Sequence, residues 1–255
     1  MRTSSSHAVH ELLDLTGHTA LVTGASGNIG QAVARRLAEA GATIIAHYHN
    51  NEVAARKLID QIGSGSIVQA DLADESDVDA IFEKMRPDLV VNNAATQPVQ
   101  ALAEMSFGDW RDVHATNLDS AFLVTCRAAL AWAASESGGA VVNIASIEGV
   151  DPAAGHGHYA SSKAGLIMLT RSCALEFGSS GIRVNAVSPG LIDRDGLQRD
   201  WPEGVARWLA RAPLERLGTP NDVADAVLFL LSPAARWISG ANLIVDGGMS
   251  AQSRW

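Results

Sequence analysis

The chain has 255 residues, enough to bury the core of one α/β domain. Its formal net charge of −9, without any run of lysine or arginine, argues against a nucleic-acid or anionic-membrane partner. Because no run of about 18 apolar residues occurs, the sequence also predicts no transmembrane span.

An N-terminal extension, residues 1–15, precedes the first predicted strand. It lacks the apolar core of a secretory signal peptide, so we expect a cytoplasmic protein.

Seven short runs rich in β-branched residues then alternate with longer segments of helical length and spacing. The runs are apolar throughout, which is typical of parallel strands covered on both faces. The alternation predicts one doubly wound α/β domain over residues 1–255, a parallel seven-stranded sheet with helices on both faces. Predicted strands are 19–24, 42–47, 66–71, 88–93, 140–146, 182–188 and 241–247; predicted helices are 30–40, 52–62, 76–85, 110–135, 160–178 and 222–231, the last starting at Asn221 or Asp222.

Two long insertions, residues 96–109 and 190–216, follow predicted strands. Ligands of open α/β sheets bind at the carboxyl ends of the strands. We therefore interpret the insertions as candidate substrate-covering loops, with 190–216 the predicted lid.

The stretch TGASGNIG, residues 23–30, follows the first strand and opens a helix. Gly24 allows a tight turn there, and Gly30 allows the helix to pack closely on the strand. The free N–H groups at the start of the helix would then face a diphosphate. This pattern predicts a dinucleotide-binding turn.

Further motifs follow in order: Asp71-Leu72, NNAA at 92–95, Asn117, Ser146, Tyr159-Ala-Ser-Ser-Lys163, SPG at 188–190 and ISGANLIVDGG at 238–248. Together with the glycine turn, they resemble the short-chain dehydrogenase/reductase family over about residues 15–250. The resemblance implies a Rossmann-type fold. It also implies an NAD(P)(H)-dependent oxidoreductase that interconverts a ketone or aldehyde and an alcohol.

The resemblance further implies which residues bind the dinucleotide. Asn28 and Ala95 stand where the family usually has glycine, and Arg194 stands where it often has threonine. Binding at the nicotinamide end, or closure of the 190–216 loop, is therefore expected to differ from the usual pattern. The implied cofactor residues are Gly24, Ser26, Gly27, Asn28, Ile29, Gly30, Tyr48, Asn50, Asn51, Asp71, Leu72, Asn93, Ala94, Tyr159, Lys163, Pro189, Gly190 and Ile192.

The choice of dinucleotide depends on the end of the second strand. NAD-preferring members usually place an aspartate there, where this chain has Tyr48. Without that anion, Asn50, Asn51 and the start of the next helix can receive a 2′-phosphate. We favour NADP(H) over NAD(H), although the glycine turn lacks the basic residue that many NADP-preferring members carry. His47 and His49 are interpreted as neutral packing or surface residues.

The catalytic residues indicated by this comparison are Asn117, Ser146, Tyr159 and Lys163. Hydride transfer to a carbonyl leaves an alkoxide, and Tyr159 can supply the proton that it needs. Lys163, one helical turn away on the same face, is expected to lower the tyrosine pKa together with an oxidised nicotinamide. Ser146, at a strand end, would hold the substrate oxygen. By resemblance, Lys163 also bonds the nicotinamide ribose and Asn117 helps to hold a proton-relay water.

His156 and His158 form an H-x-H pair beside Tyr159. Two histidines without a third ligand do not make a zinc site, so we expect no metal and interpret them as pocket or entrance-loop residues. The two cysteines, Cys126 and Cys173, are predicted to be buried free thiols. Further candidate pocket residues are Gln97, Glu148, Trp201 and Trp208.

Two other functions compete with an active reductase. A catalytically inactive dinucleotide-binding regulator would typically have lost Ser, Tyr or Lys, and this chain keeps all of them. A sugar-nucleotide epimerase usually has a longer C-terminal substrate domain and another glycine spacing. The substrate stays open among small carbonyl or alcohol compounds: 3-oxoacyl thioesters, pteridines, sugars and steroids.

The segment 120–134 is predicted to be a helix that is apolar on most of its surface. In the resembled family, this helix and the one that carries Tyr159 and Lys163 commonly form a subunit interface. We therefore expect a homotetramer, with a homodimer as the alternative.

Overall fold

The computed structural model describes residues 8–252, and its centre is one parallel sheet. The strands are β1 Thr19–Val22, β2 Thr43–Tyr48, β3 Ser66–Gln69, β4 Leu89–Asn92, β5 Gly139–Ile144, β6 Ile182–Pro189 and β7 Asn242–Val245. They lie in the order β3-β2-β1-β4-β5-β6-β7. The order reverses between β1 and β4, which opens a crevice at their carboxyl ends. The predicted doubly wound fold is confirmed.

Helices cover both faces of the sheet. They are α1 Asn28–Glu39, α2 Glu52–Ile62, α3 Glu75–Lys84, α4 Phe107–His114, α5 Ser120–Ser135, α6 Gly157–Phe177, α7 Leu197–Asp200, α8 Pro202–Leu209 and α9 Pro220–Leu231. In β1, Ala20 and Val22 join the core cluster that contains α1, α2 and α9, whereas Leu21 joins the cluster that contains α3, α5 and α6. Because successive side chains point to opposite faces, a central strand such as β1 must be apolar on both faces, whereas the edge strand β3 carries exposed Ser66 and Gln69.

Several helix boundaries differ from the prediction by one to three residues, and capping explains two of the starts. Helix α4 starts at Phe107 because Ser106 and Asp109 form a capping box ahead of it. A π-helical turn, Ala115–Asp119, then separates α4 from α5, where one helix over 110–135 was predicted. Helix α9 starts at Pro220, since Thr219 caps it and proline suits the first helical position.

The chain outside these elements is also largely ordered by backbone contacts. Of the N-terminal extension, residues 1–7 lie outside the described residues, whereas Leu15 is buried and its N–H donates to the carbonyl of Ala40. Residues 190–216 include α7 and α8, and a bridge between Ile192 and Gly218 ties the segment at its base. Between residues 8 and 252, no helix is long and apolar enough to cross a membrane.

The two cysteines are free thiols, as predicted. Cys173 is buried, whereas Cys126 is only partly buried.

Candidate active site

Most predicted site residues lie at the carboxyl edge of the sheet. The glycine turn follows β1, Asn93 and Ala94 follow β4, Ser146 follows β5, and Gly190 follows β6. Carboxyl ends of parallel strands share one edge, so segments that are far apart in sequence meet there. The topology therefore brings the predicted phosphate-binding and proton-transfer residues to one crevice.

The glycine turn packs closely against the two residues that follow β4, Asn93 and Ala94. Gly24 has a φ of +60°, and a Cβ on it would lie 2.9 Å from the Cα of Ala94. The Asn93 side-chain amide donates to the carbonyls of Thr23 and Gly24, at 2.9 and 3.1 Å. Gly27 precedes the first residue of α1 and is exposed. A cradle without side chains therefore lies at a helix N-terminus, which suits a diphosphate.

His47 ties the glycine turn to two neighbouring segments. Its Nδ1 accepts the Gly24 N–H at 3.0 Å, and its Nε2 lies 3.1 Å from the carbonyl of Ala70, to which it donates. Burial lowers the pKa of His47 to about 4, so the imidazole is neutral at physiological pH. The ring is therefore a structural link beneath the adenosine end, which the sequence identified only as a packing residue.

The residues after β2 take different positions. Tyr48 is buried, with a side-chain hydrogen bond to Glu52, while Asn50 and Asn51 are exposed. Asn51 caps α2, its Oδ1 accepting the N–H of Ala54 at 3.1 Å. The exposed polar groups at this helix start are thus the two asparagines and Glu52, whose carboxylate pairs with Arg56, while β2 itself ends without a carboxylate.

At the end of β3, the carboxylate of Asp71 accepts the N–H of Ala73 at 3.0 Å. Asp71 is exposed and Leu72 is buried. Ala70 directly precedes this turn. His47, which bonds both Ala70 and Gly24, therefore links the turn to the glycine turn.

Asn28, the residue at a usual glycine position, makes a contact of its own. Its side-chain amide donates to the carbonyl of Asp193 at 2.8 Å. This hydrogen bond joins the start of α1 to the segment after β6. The expected departure at this position is therefore an added link between the glycine turn and residues 190–216.

That segment is also organised by its own side chains. Arg194 donates to the carboxylate of Asp200 at 2.9 Å, so this arginine is ion-paired within the segment. Trp208 packs on Gly190, where a Cβ would lie 2.5 Å from the indole ring. Pro189 ends β6, and Ile192 is half-buried.

Ser146, Tyr159 and Lys163 form a buried group at the end of β5. Their exposed fractions are 7%, 9% and 2%. Ser146 hydrogen-bonds the phenol of Tyr159 and accepts the N–H of Glu148 at 3.1 Å. Lys163 donates to the carbonyl of Ile144 at 2.7 Å, and its Nζ lies 5.6 Å from the centroid of the Tyr159 ring.

Among the chain's own groups, burial has the largest effect on the pKa of Tyr159. Burial raises it to about 12, the Ser146 hydrogen bond lowers it, and the negative charge of Glu148 raises it further. Burial also lowers the pKa of Lys163 to about 8. The expected lowering of the Tyr159 pKa depends on an oxidised nicotinamide together with Lys163, and it stays a prediction. Among the chain's own groups, Tyr159 is therefore a protonated acid at neutral pH.

Asn117 lies in the π-helical turn and is 1% exposed. Its side chain accepts the N–H of Thr96 at 2.8 Å and donates to the carbonyl of the same residue at 2.9 Å. It also donates to Ser162 Oγ at 3.2 Å. Asn117 thus fixes the loop after β4 against α6, next to Lys163.

Three polar residues meet beside Tyr159, and we name them the Gln97–Glu148–His156 cluster. Gln97 donates to Glu148 at 3.0 Å, and His156 Nδ1 lies 2.7 Å from the same carboxylate. The His156 ring stands edge-on to Tyr159 at 6.2 Å between centroids. The sequence named these residues separately and contained no signal that they touch, since they come from three segments.

The other histidine of the H-x-H pair does not face the pocket. His158 is fully buried, and its Nδ1 accepts the N–H of Tyr159 at 2.9 Å. The expectation that both histidines line the pocket or its entrance is therefore wrong for His158, because one step along the start of α6 turns its ring inward. Within residues 8–252, no group of three or more His, Cys, Asp or Glu side chains is arranged to hold a metal ion.

The chain is similar to known proteins over nearly its whole length. A family model described as enoyl-(acyl carrier protein) reductase matches residues 24–250. The 3-oxoacyl-(acyl-carrier-protein) reductase FabG of Vibrio cholerae is 37% identical, covering 93% of this chain and 99% of its own. The 3beta-hydroxysteroid dehydrogenase 1 of Eggerthella lenta is 35% identical, covering 93% and 95%.

A crystal structure from Agrobacterium tumefaciens with bound NADP has the same architecture. That protein is proposed to be a 2-deoxy-D-gluconate 3-dehydrogenase; it is 34% identical, with a TM-score of 0.88, and covers 94% of this chain and 99% of its own.

Proposed function

The chain belongs to the short-chain dehydrogenase/reductase family, and we propose that its site uses Tyr159 to exchange the proton as a carbonyl and an alcohol are interconverted. It is an NAD(P)-dependent oxidoreductase that acts on CH–OH groups. The observation that carries the assignment of Tyr159 is its buried contact with Ser146 and Lys163 at the crevice. A small ketone, aldehyde or alcohol is the substrate class.

The chain's own groups suit the reducing direction. A nicotinamide held in the crevice would supply the hydride that the carbonyl carbon needs. Tyr159, kept protonated by burial, donates its phenolic proton to the carbonyl oxygen as charge develops there. Ser146 Oγ holds that oxygen, and the Lys163 ammonium, held by Ile144, favours the tyrosinate that remains. Asn117 fixes the loop and helix beside Lys163, where a proton-relay water is proposed.

The same proposal assigns the dinucleotide to the crevice. The cradle that Gly24 and Gly27 form at the start of α1 fits the diphosphate, because a side chain at Gly24 would collide with Ala94. Asp71 and Leu72 are proposed at the adenine, with Asn93 and Ala94 behind the turn. The remaining proposed contacts are Ser26, Asn28, Ile29 and Gly30 at the phosphates, Lys163 at the nicotinamide ribose, Tyr159 beside it, and Pro189, Gly190 and Ile192 at the nicotinamide.

We propose NADP(H) as the preferred cofactor. The end of β2 presents no carboxylate, Tyr48 is buried, and Asn50 and Asn51 stand exposed at the start of α2. Helix starts attract anions such as a 2′-phosphate. The test is fluorescence titration with NADPH and NADH. Tighter binding of NADPH is expected, and equal affinities would overturn this preference.

A homotetramer, or failing that a homodimer, belongs to the proposal, as does a cytoplasmic location. The supporting feature is apolar surface on the two helices expected at the interface: Phe122 and Leu130 on α5, and Met168 and Leu175 on α6, are exposed. Exposed apolar patches of this kind mark interaction surfaces. Light scattering should give a mass of two or four chains, and a monomer would refute it.

The decisive experiment on function is a panel of ketones and alcohols followed at the nicotinamide absorbance with both dinucleotides. Tyr159→Phe should lose at least about a thousandfold in kcat while keeping its dinucleotide affinity, because only the proton donor is removed. Ser161→Ala, on the same helix, is the matched control. Retained turnover in Tyr159→Phe would refute its assigned role. Absence of any dehydrogenase activity in the wild type would instead favour the inactive regulator.

A further inference from the structure

The Gln97–Glu148–His156 cluster lies where the part of the substrate next to the reacting carbon must sit. Glu148 is hydrogen-bonded through its N–H to Ser146, and its charge acts on Tyr159. His156 stands edge-on to the Tyr159 ring. The cluster therefore flanks both groups that are proposed to hold the reacting oxygen.

The cluster offers hydrogen-bond acceptors to that space. His156 Nδ1 engages the carboxylate of Glu148, which leaves Nε2 without a partner among residues 8–252 and available to a ligand hydroxyl. Gln97 uses its amide N–H on Glu148, which leaves its Oε1 free of partners among residues 8–252. Both oxygens of Glu148 keep a further lone pair. The matching ligand group is a hydrogen-bond donor without negative charge.

Other neighbours of a reacting carbonyl fit this cluster poorly. The side chains of Glu148 and His156 are only 17% and 16% exposed, so an apolar substituent would remove their remaining water without replacing its hydrogen bonds. A carboxylate or phosphate would lie against the Glu148 anion. Both considerations disfavour a plain acyl chain or an acidic group at this position.

We propose that the Gln97–Glu148–His156 cluster selects substrates that carry a hydroxyl group on the carbon next to the reacting one, that is, vicinal diols and α-hydroxyketones. The inference rests on the proposed function and names the substrate class of the same site. In the oxidising direction, the C–H bond of one carbinol breaks and its hydride passes to the oxidised dinucleotide. The O–H proton passes to the phenolate form of Tyr159, and the neighbouring hydroxyl stays intact as a donor to the cluster.

The test compares two matched pairs, trans-1,2-cyclohexanediol against cyclohexanol and 2-hydroxycyclohexanone against cyclohexanone. The wild type should favour the hydroxylated member by at least about tenfold in kcat/KM, because a site built for a hydroxyl discriminates strongly against its absence. Glu148→Met keeps the length of the side chain and removes its acceptors. It should bring the ratio close to one, because removing the Glu148 charge beside Tyr159 affects both members alike and cancels in the ratio, whereas the lost acceptors affect the hydroxylated member alone.

Two further variants separate specificity from folding. Gln97→Met, at an exposed position, should lower the ratio by a smaller factor in the same direction. Glu83→Met, on the exposed side of α3, should leave both rates unchanged. A loss that is equal for both substrates in Glu148→Met and Gln97→Met would show a structural role only and overturn the inference.

The outcomes also distinguish this inference from the function beneath it. A wild type that oxidises plain alcohols as well as diols, through Tyr159, keeps the proposed function and overturns the cluster's role. A wild type that turns over other members of the wider panel but no vicinal diol or α-hydroxyketone also keeps the proposed function and overturns the cluster's role. A wild type that turns over no alcohol or ketone at all overturns both.

Discussion

Replacing His47 with leucine tests whether this buried imidazole holds the adenosine end together. The variant keeps an apolar side chain of similar size but leaves the N–H of Gly24 and the carbonyl of Ala70 without their partner. Each orphaned buried group costs about 1–3 kcal/mol, so the free energy of unfolding should fall by roughly 2–4 kcal/mol. His49→Leu, two positions along and exposed, is the matched control and should change it by less than about 0.5 kcal/mol.

The pH dependence supplies a second, independent measure. Burial lowers the pKa of His47 from its ordinary value of 6.5 to about 4 in the folded chain. The hydrogen bond to Ala70 and the charge of Asp71 raise the pKa by less, and the charge of His49 lowers it further. Between these values the unfolded chain binds the proton and the folded chain does not, so wild-type stability falls as pH falls. The difference between the two pKa values corresponds to a loss of about 3 kcal/mol in the free energy of unfolding as pH falls from 6.5 to about 4.

The leucine variant lacks this contribution. Its deficit relative to the wild type should therefore narrow as pH falls from 6.5 towards 4. Urea unfolding at fixed protein concentration, repeated across this range, measures the deficit, and fluorescence titration with NADPH should show weaker binding in His47→Leu. A deficit that stays constant with pH, or a variant as stable as His49→Leu, would refute the neutral link.

Three other predictions follow from the same site. Tyr48→Asp should shift the NADPH-to-NADH affinity ratio at least about tenfold towards NADH, because a carboxylate at the end of β2 repels a 2′-phosphate; an unchanged ratio in titrations of both dinucleotides would contradict it. Ser146→Ala removes the hydrogen bond that lowers the Tyr159 pKa, so the pH profile of alcohol oxidation should move to higher pH and kcat/KM at neutral pH should fall; a profile that stays in place would exclude this role. Asn28→Gly breaks the hydrogen bond to Asp193, so limited proteolysis should cleave residues 190–216 faster than in the wild type. The free energy of unfolding should change by no more than about 1 kcal/mol. Equal cleavage rates would count against Asn28 as an anchor of the predicted lid.

The sequence predicted the fold well because the evidence for it is local. The strands are apolar throughout since both faces of the sheet are covered, and the run around Leu21 carries that information by itself. The positions of Ser146 and Tyr159 follow from the strand ends and one helical start. Helix boundaries were less accurate where a capping box decided them, as at Ser106 and Thr219.

Features that depend on tertiary contacts could not be predicted. The hydrogen bonds of His47 join strand β2 to the glycine turn and to the end of β3, and no spacing in the sequence records that convergence. The pKa of Tyr159 depends on how much water its surroundings exclude and on the charge of Glu148, whereas the sequence offered only the neighbouring lysine. The side chains of His156 and His158 point in different directions, and this becomes apparent only once the start of α6 is placed.

The division between strand ends and inserted loops has a consequence for how such an enzyme diversifies. The Lys163 ammonium is anchored to the carbonyl of Ile144 on β5, inside the sheet that every helix packs against. Gln97, by contrast, stands on an exposed loop. Substitutions in that loop can change what is selected at little cost to folding and without moving the proton-transfer group. New specificities can therefore arise through substitutions in the exposed loop while the proton-transfer residues at the sheet stay unchanged.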